Sequence, residues 1–243
     1  MITSLQNERV KNWAKLKEKK YRDETGQYLI EGDHLLKEAL KANVVLEILS
    51  LEPVEDKTVP SFIVTKEILK YLSCQVTPPS VIAVCKKKKE QEITGAVLIL
   101  DGLQDPGNLG TLIRSAVAFN IETIIASLDT VDYYNPKVIR STEGMHFYVN
   151  LIRSDLQATL PKLQEKGYTI YTTNVQTGKH LKEIVFPKNS AFIIGNEGSG
   201  VRPDTAELAT QTIYIPMSKT CESLNASVSG SIIMYEYGRE WLS

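Results

Sequence analysis

Residues 97–119, VLILDGLQDPGNLGTLIRSAVAF, decide the fold. Val97–Leu100 is an unbroken apolar run, the mark of a strand whose sheet is covered on both faces. Asp101–Gly107 then turns the chain, with Gly102, Pro106 and Gly107 supplying the turn chemistry. Apolar spacing resumes at the helical period over Leu109–Phe119. The same strand, loop and helix alternation continues on the C-terminal side. Strands are predicted at Thr123–Ala126, Tyr168–Thr172, Ala191–Ile194 and Thr212–Ile215, with helices at 155–166 and Ser223–Trp241. Such alternation predicts an open α/β sheet.

Upstream, the pattern is shorter and mixed. Helices are predicted at 7–20, 33–42 and 65–73, and strands at Tyr28–Ile30, Val44–Ser50, Ser61–Val64 and Val81–Cys85. The polar stretch KKKKEQE, residues 86–92, has no apolar side chain to bury and reads as a linker. Two domains are therefore expected, 1–92 and 93–243.

Composition narrows the function classes. With 42% hydrophobic and 23% charged residues over 243 positions, the chain is an ordinary globular protein. No apolar run approaches the roughly 20 residues of a membrane span. The N-terminal MITSLQNERVKNWAKLKEKKYR lacks the apolar core of a secretory signal. Cys74, Cys85 and Cys221 are widely spaced and form no CxxC, and only His34, His146 and His180 accompany them. No metal site is expected, and reduced thiols fit a cytoplasmic protein.

The net charge of -1 hides local asymmetry. Up to Arg22 there are seven basic residues against Glu8 and Glu18, and Lys86–Lys89 adds a second basic run. Localised positive charge suits a polyanion such as RNA, although charge runs alone are more often solvated helix faces.

Three clusters carry chemistry: NLGTLIR (108–114), GNEGSGV (195–201) and IPMSKTCESLNASVS (215–229). Each begins where an apolar run ends, the place where ligands bind in parallel sheets. Asn108 stands where an N-cap would, and Arg114 sits among Leu112, Ile113, Ala116 and Val117, company in which a charge usually has a dedicated partner. GNEGSG is neither a GxGxxG nor a P-loop, and Glu197 within it would repel phosphate. Alone, the loop is most simply a tight turn. In the third cluster, Ser223 and Asn225 precede a helix start rich in small residues, which permits close packing.

In this order and spacing, the clusters resemble the three motifs of the SpoU (TrmH-type) RNA ribose 2′-O-methyltransferases of the SPOUT superfamily. Asn108 and Arg114 match the first motif, and Gly195-Asn196-Glu197-Gly198 the second. Ile215-Pro216-Met217 with Ser223-Leu224-Asn225 matches the third. Asn135-Pro136-Lys137 and Arg140–Gly144 look like the segment between the first two motifs. Lys219-Thr220 departs from the pattern, where many members carry a glycine. The likeness is strong over 93–240. More weakly, the N-terminal part is similar to a small L30e-like substrate-binding domain, with Glu31-Gly32 in its usual place.

The resemblance implies a SPOUT-type open sheet with a deep trefoil knot, a homodimer, and S-adenosylmethionine as cofactor. It implies cofactor contacts at Thr173, Gly195, Ile215, Met217 and Leu224. Asn108, Arg114, Glu197, Ser223 and Asn225 would be the catalytic set. Arginine is protonated at any working pH, so Arg114 is expected to hold a phosphate and stabilise an alkoxide rather than act as a base. Ribosomal RNA is the favoured substrate, with transfer RNA and a non-catalytic RNA-binding protein as alternatives. An α/β enzyme for another nucleotide is the remaining reading, against which the missing phosphate motifs argue.

Overall fold

The computed structural model describes every residue except Glu55, Lys57, Gln176, Leu242 and Ser243. In chain order the first elements are α1 (Glu8–Lys15), α2 (Lys19–Thr25), β1 (Gln27–Glu31), α3 (Asp33–Lys41), β2 (Val45–Ser50), β3 (Ser61–Ile63), α4 (Lys66–Leu72) and β4 (Val81–Lys86). There follow β5 (Ala96–Asp101), α5 (Pro106–Ala118), β6 (Ile121–Ala126), α6 (Pro136–Ser141), β7 (Asn150–Arg153), α7 (Leu156–Glu165) and β8 (Thr169–Thr173). The last are β9 (Lys179–His180), β10 (Ser190–Gly195), α8 (Pro203–Ala206), β11 (Gln211–Tyr214) and α9 (Ala226–Trp241). By contacts the chain forms two compact units, Met1–Lys89 with Asp132–Phe147, and Glu90–Val131 with Tyr148–Ser243.

In the first unit the strand order is β1-β4-β2-β3. β4 runs antiparallel to β1 and β2, and β2 pairs with β3 in parallel. Val10, Trp13 and Leu16 join Ile68, Leu69 and Leu72 on one face of this sheet. Leu35, Leu36 and Ala39 cover the other, together with Ile139 and Phe147 from the 132–147 segment. The helix expected over 7–20 is two helices. Its break at residues 16–18 is held by Arg22, whose Nη1 donates to the carbonyls of Leu16 (3.0 Å) and Lys17 (2.7 Å), replacing the helical pattern there. Gly26, at φ 66°, ends α2 in the left-handed conformation open to glycine.

The second unit is a seven-stranded sheet in the order β7-β6-β5-β10-β8-β11-β9, every pairing parallel. Every residue of β5 and β10 is buried, as an unbroken apolar run requires. Register places Gly195 opposite Asp101, so the loops after β5 and β10 leave the sheet side by side. Ile213 pairs with Thr173 in the same way further along.

α9 packs against α5. Ser231 and Ser115 share a hydrogen bond of 2.7 Å, and Gly230 lies so close to Leu112 that an added Cβ would stand 2.4 Å from its Cδ2. Towards its C-terminal end, Tyr237 meets Phe186 and Phe192 edge-on, which ties the helix to β10. α9 starts at Ala226, three residues after the expected Ser223, because Asn225 takes the capping position. β7 and β9 were not legible in the sequence: each is short, and neither alternates clearly.

Candidate active site

Asp105, not Asn108, caps α5. Its side chain accepts the amide of Asn108 at 2.8 Å, and Pro106 follows at the first helical position, where its missing N–H costs nothing. Asn108 is therefore one turn inside the helix, buried, with its amide free for other work. Its Nδ2 donates to Glu197 Oε1 at 3.0 Å, and its Oδ1 accepts from Asn225 Nδ2 at 2.9 Å. Asn225 in turn accepts the amides of Ser227 (2.8 Å) and Val228 (3.3 Å) through Oδ1, capping α9. Three residues from three remote segments thus form one hydrogen-bonded chain.

Glu197 also accepts the backbone amides of Gln104 (3.1 Å) and Asp105 (2.9 Å). Its carboxylate stands at the amino end of α5, where negative charge is favoured. Partial burial pushes its pKa up, but the Asn108 side chain and the two amides outweigh this and hold it below the ordinary value. Glu197 is a fixed, ionised acceptor.

The glycine loop is shaped by contact. Asn196 and Gly200 exchange backbone hydrogen bonds at 2.9 and 3.0 Å, and a Cβ on Gly195 would stand 2.1 Å from the Gly200 carbonyl carbon. Asn196 Oδ1 accepts the amides of Gly198 and Ser199, while its Nδ2 donates to the Gly102 carbonyl at 2.8 Å. The tight turn is real, and it also joins the two loops.

A second bracket was not foreseen. Asp101, buried at the end of β5, accepts the Arg202 amide at 2.9 Å and pairs with the Arg202 guanidinium, which also reaches Asp129 at 3.4 Å. The signal in the sequence was an acid closing an apolar strand and an arginine following the glycine loop.

Beside these loops, at the carboxyl ends of β8, β10 and β11, lies a cavity of about 390 Å³. Thr173, Gly195, Ile215, Met217 and Leu224 all line it, and Glu197 and Ser223 line it too. Isoleucines 194, 213 and 233 supply an apolar floor, and no lysine, arginine or histidine is among the lining residues. The size is that of a small-molecule site. It presents no cationic side chain to a di- or triphosphate, whereas a nucleoside joined to a sulfonium fits the apolar wall and the nearby carboxylate.

Arg114 is not part of this chain of bonds. It is exposed and forms no hydrogen bond or ion pair with any described residue. Six positions after Asn108, it is rotated by about 240° around α5. Its apolar neighbours Leu112, Ile113 and Ala116 are buried because they form the inner face of the helix, and Arg114 belongs to the outer one. The dedicated partner expected from those neighbours is absent within the described residues.

The basic runs divide in the same way. Lys87 pairs with Asp23 at 2.7 Å and Lys88 donates to the Phe147 carbonyl, so part of the 86–89 run is structural. Among the described residues no group of three or more histidine, cysteine, aspartate and glutamate side chains is placed to hold a metal. No described helix is long and apolar enough to cross a membrane.

Comparison with known proteins identifies the family. A profile of the SpoU rRNA Methylase family matches residues 95–235, and one of the MRM3-like substrate binding domain matches 7–83. RlmP of Bacillus subtilis (strain 168), a 23S rRNA (guanosine(2553)-2'-O)-methyltransferase, is 37% identical over 96% of this chain and 97% of its own. RlmB of Coxiella burnetii, a 23S rRNA (guanosine-2'-O-)-methyltransferase, is 36% identical over 63% of this chain and 61% of its own. The AdoMet-bound rRNA methyltransferase from Sinorhizobium meliloti superposes with a TM-score of 0.89 at 25% identity, covering 100% of this chain and 98% of that one.

Proposed function

The chain belongs to the SpoU rRNA methylase family, and on that premise we propose that it transfers a methyl group from S-adenosylmethionine to a ribose 2′-hydroxyl of ribosomal RNA. One observation carries the reading. Asn108, Glu197 and Asn225 are joined beside a cavity with no cationic side chain, at the carboxyl ends of a parallel sheet. The 23S rRNA named for the relatives favours ribosomal over transfer RNA.

Bound there, S-adenosylmethionine would supply a methyl from a sulfonium that is left as a neutral thioether, the C–S bond breaking as the C–O bond forms and the hydroxyl proton passing to water. Thr173, Gly195, Ile215, Met217 and Leu224 would hold it, largely through backbone groups and apolar contact. Glu197, anchored by Asn108 and two amides, would orient the ribose, with Ser223 and Asn225 completing the rim. Alignment of the attacking oxygen then supplies much of the rate. Arg114 would hold the adjacent phosphate and stabilise charge developing on that oxygen.

This role needs Arg114 from elsewhere, since within one chain it points away. We therefore infer a homodimer in which Arg114 of a second copy completes the site. The exposed face of α5 around Arg114, and Val228 and Tyr235 on α9, are the surfaces such a partner would cover. The close approach of Gly230 to Leu112 and Ile194 is consistent with a C-terminal segment threaded as a trefoil knot. The three free cysteines fit a cytoplasmic enzyme.

The test is transfer of labelled methyl to ribosomal RNA lacking its own methylation, with the product mapped by resistance of the modified ribose to alkaline cleavage. Methylated 2′-oxygens are expected; methyl on a base, or none, overturns the reading. For the dimer, Arg114→Ala and Glu197→Ala chains, each inactive, are mixed after unfolding and refolding. Activity should return in the mixed dimers, and its absence removes the second copy from the site.

A further inference from the structure

The first unit carries a face in which tyrosines and lysines interleave. The ammonium groups of Lys15 and Lys20 each lie 5.8 Å from the ring centre of Tyr21. Lys17 lies 5.7 Å from the ring centre of Tyr71 and donates to the Tyr71 carbonyl at 2.8 Å, tying the turn after α1 to the end of α4. Tyr71 is 46% exposed, so its ring is open to solvent beside the Lys17 ammonium. Lys20 approaches Glu24 at 4.0 Å, but Lys15 and Lys17 form no ion pair with any described residue. Glu8, Glu18, Asp23, Glu24 and Glu67 share these elements, so the face carries both signs of charge, with Lys15 and Lys17 outside its ion pairs.

The turn bearing these lysines is held from within. The Arg22 side chain is 4% exposed, and beyond its bonds to Leu16 and Lys17 it donates from Nε (3.2 Å) and Nη2 (2.7 Å) to Asp132 Oδ2. Burying such a pair is costly, and an apolar pair of similar volume would commonly be as stable. What the pair adds is a fixed direction for the two carbonyls, and therefore for Lys15, Lys17 and Lys20 outside.

We propose that Lys15, Lys17, Lys20, Tyr21 and Tyr71 form a contact surface for the backbone of the RNA substrate, with Tyr71 as a stacking platform for an unpaired base. This rests on the ribosomal RNA reading and says which face of the first unit meets the RNA. Fixed ammonium groups neutralise phosphates and release counterions, and an exposed ring beside them accepts any base face.

The full-length protein tests this with Lys15→Gln/Lys17→Gln, Lys15→Arg/Lys17→Arg and Tyr71→Ala. Fluorescence anisotropy gives RNA affinity across a salt series, and methyl transfer gives kcat and KM. The glutamine pair should flatten the salt dependence by about one to two counterions and raise KM about tenfold, leaving kcat and S-adenosylmethionine affinity unchanged. The arginine pair should restore the wild-type slope, which a merely structural role would not require. Tyr71→Ala should weaken binding about tenfold with the slope unchanged. Wild-type slope and KM in the glutamine pair, or wild-type affinity in Tyr71→Ala, overturn the proposal, as does binding to anionic lipid vesicles in place of RNA. Wild-type protein that binds RNA but transfers no methyl refutes the catalytic reading instead, and leaves this face standing.

Discussion

Glu197 Oε1 and Asn108 Nδ2 are 3.0 Å apart although 89 residues separate them in the chain. The bond exists because β10 pairs with β5 in parallel, which brings the glycine loop alongside the loop that starts α5. Asn108 is the centre of the arrangement, since it also holds Asn225.

Replacing Asn108 by alanine removes one donor from an ionised acceptor and orphans the Asn225 amide. Hydrogen bonds to charged groups are worth about 1.5–3 kcal/mol, so kcat/KM should fall about 10- to 100-fold. Steady-state transfer to ribosomal RNA measures this, and a loss under twofold would remove Asn108 from the machinery.

The Glu197 carboxyl titrates below its ordinary value of 4.5. A lowered carboxyl pKa gives stability that is present above the unfolded value and is lost as pH falls through the folded one. The stability difference between wild type and Glu197→Gln should thus be constant from neutral pH down to about 5 and shrink below 4.5. Urea unfolding at stepped pH checks it; a difference that already changes between pH 7 and 6 would contradict the assignment.

His146 gives a larger acid effect in the first unit. Burial, with the Lys88 charge added, pushes its pKa down from 6.5 to about 3, and it bonds Tyr28 (3.1 Å) and Thr142 (2.8 Å) as a neutral ring. Below 6.5 the unfolded chain takes up a proton that the folded one refuses. Stability should fall by about 1.4 kcal/mol per pH unit from this group until near pH 3. His146→Gln should lose that component, which denaturation at pH 7, 6 and 5 would reveal.

Gly195 and Gly230 separate backbone crowding from side-chain crowding. A Cβ on Gly195 meets the Gly200 backbone at 2.1 Å, whereas on Gly230 the nearest atom is the Leu112 methyl at 2.4 Å. Gly195→Ala should abolish S-adenosylmethionine binding by forcing the loop open. Gly230→Ala should cost about 1–3 kcal/mol of stability and leave measurable affinity, because a leucine end can shift. Calorimetric titration of both variants decides between these outcomes.

Much of this is legible in the sequence. The buried runs of β5 and β10, the helical period of α5 and the ordered polar clusters predict a parallel sheet with ligands at its carboxyl ends, since burial and periodicity are local properties of the chain. Three readings needed the fold. Asn108 proved to be a bridge and not a cap, because a hydrogen bond across remote segments depends on strand order. Arg114 proved to face outward, because apolar neighbours in sequence are not neighbours around a helix. The 132–147 segment packs with the first unit although it lies between β6 and β7 in the sequence. Sequence alone determined which residue types could build a methyl-transfer site and where along the chain they stand. Tertiary structure decided which of them meet, because parallel pairing and helix rotation convert positions in a line into distances in space.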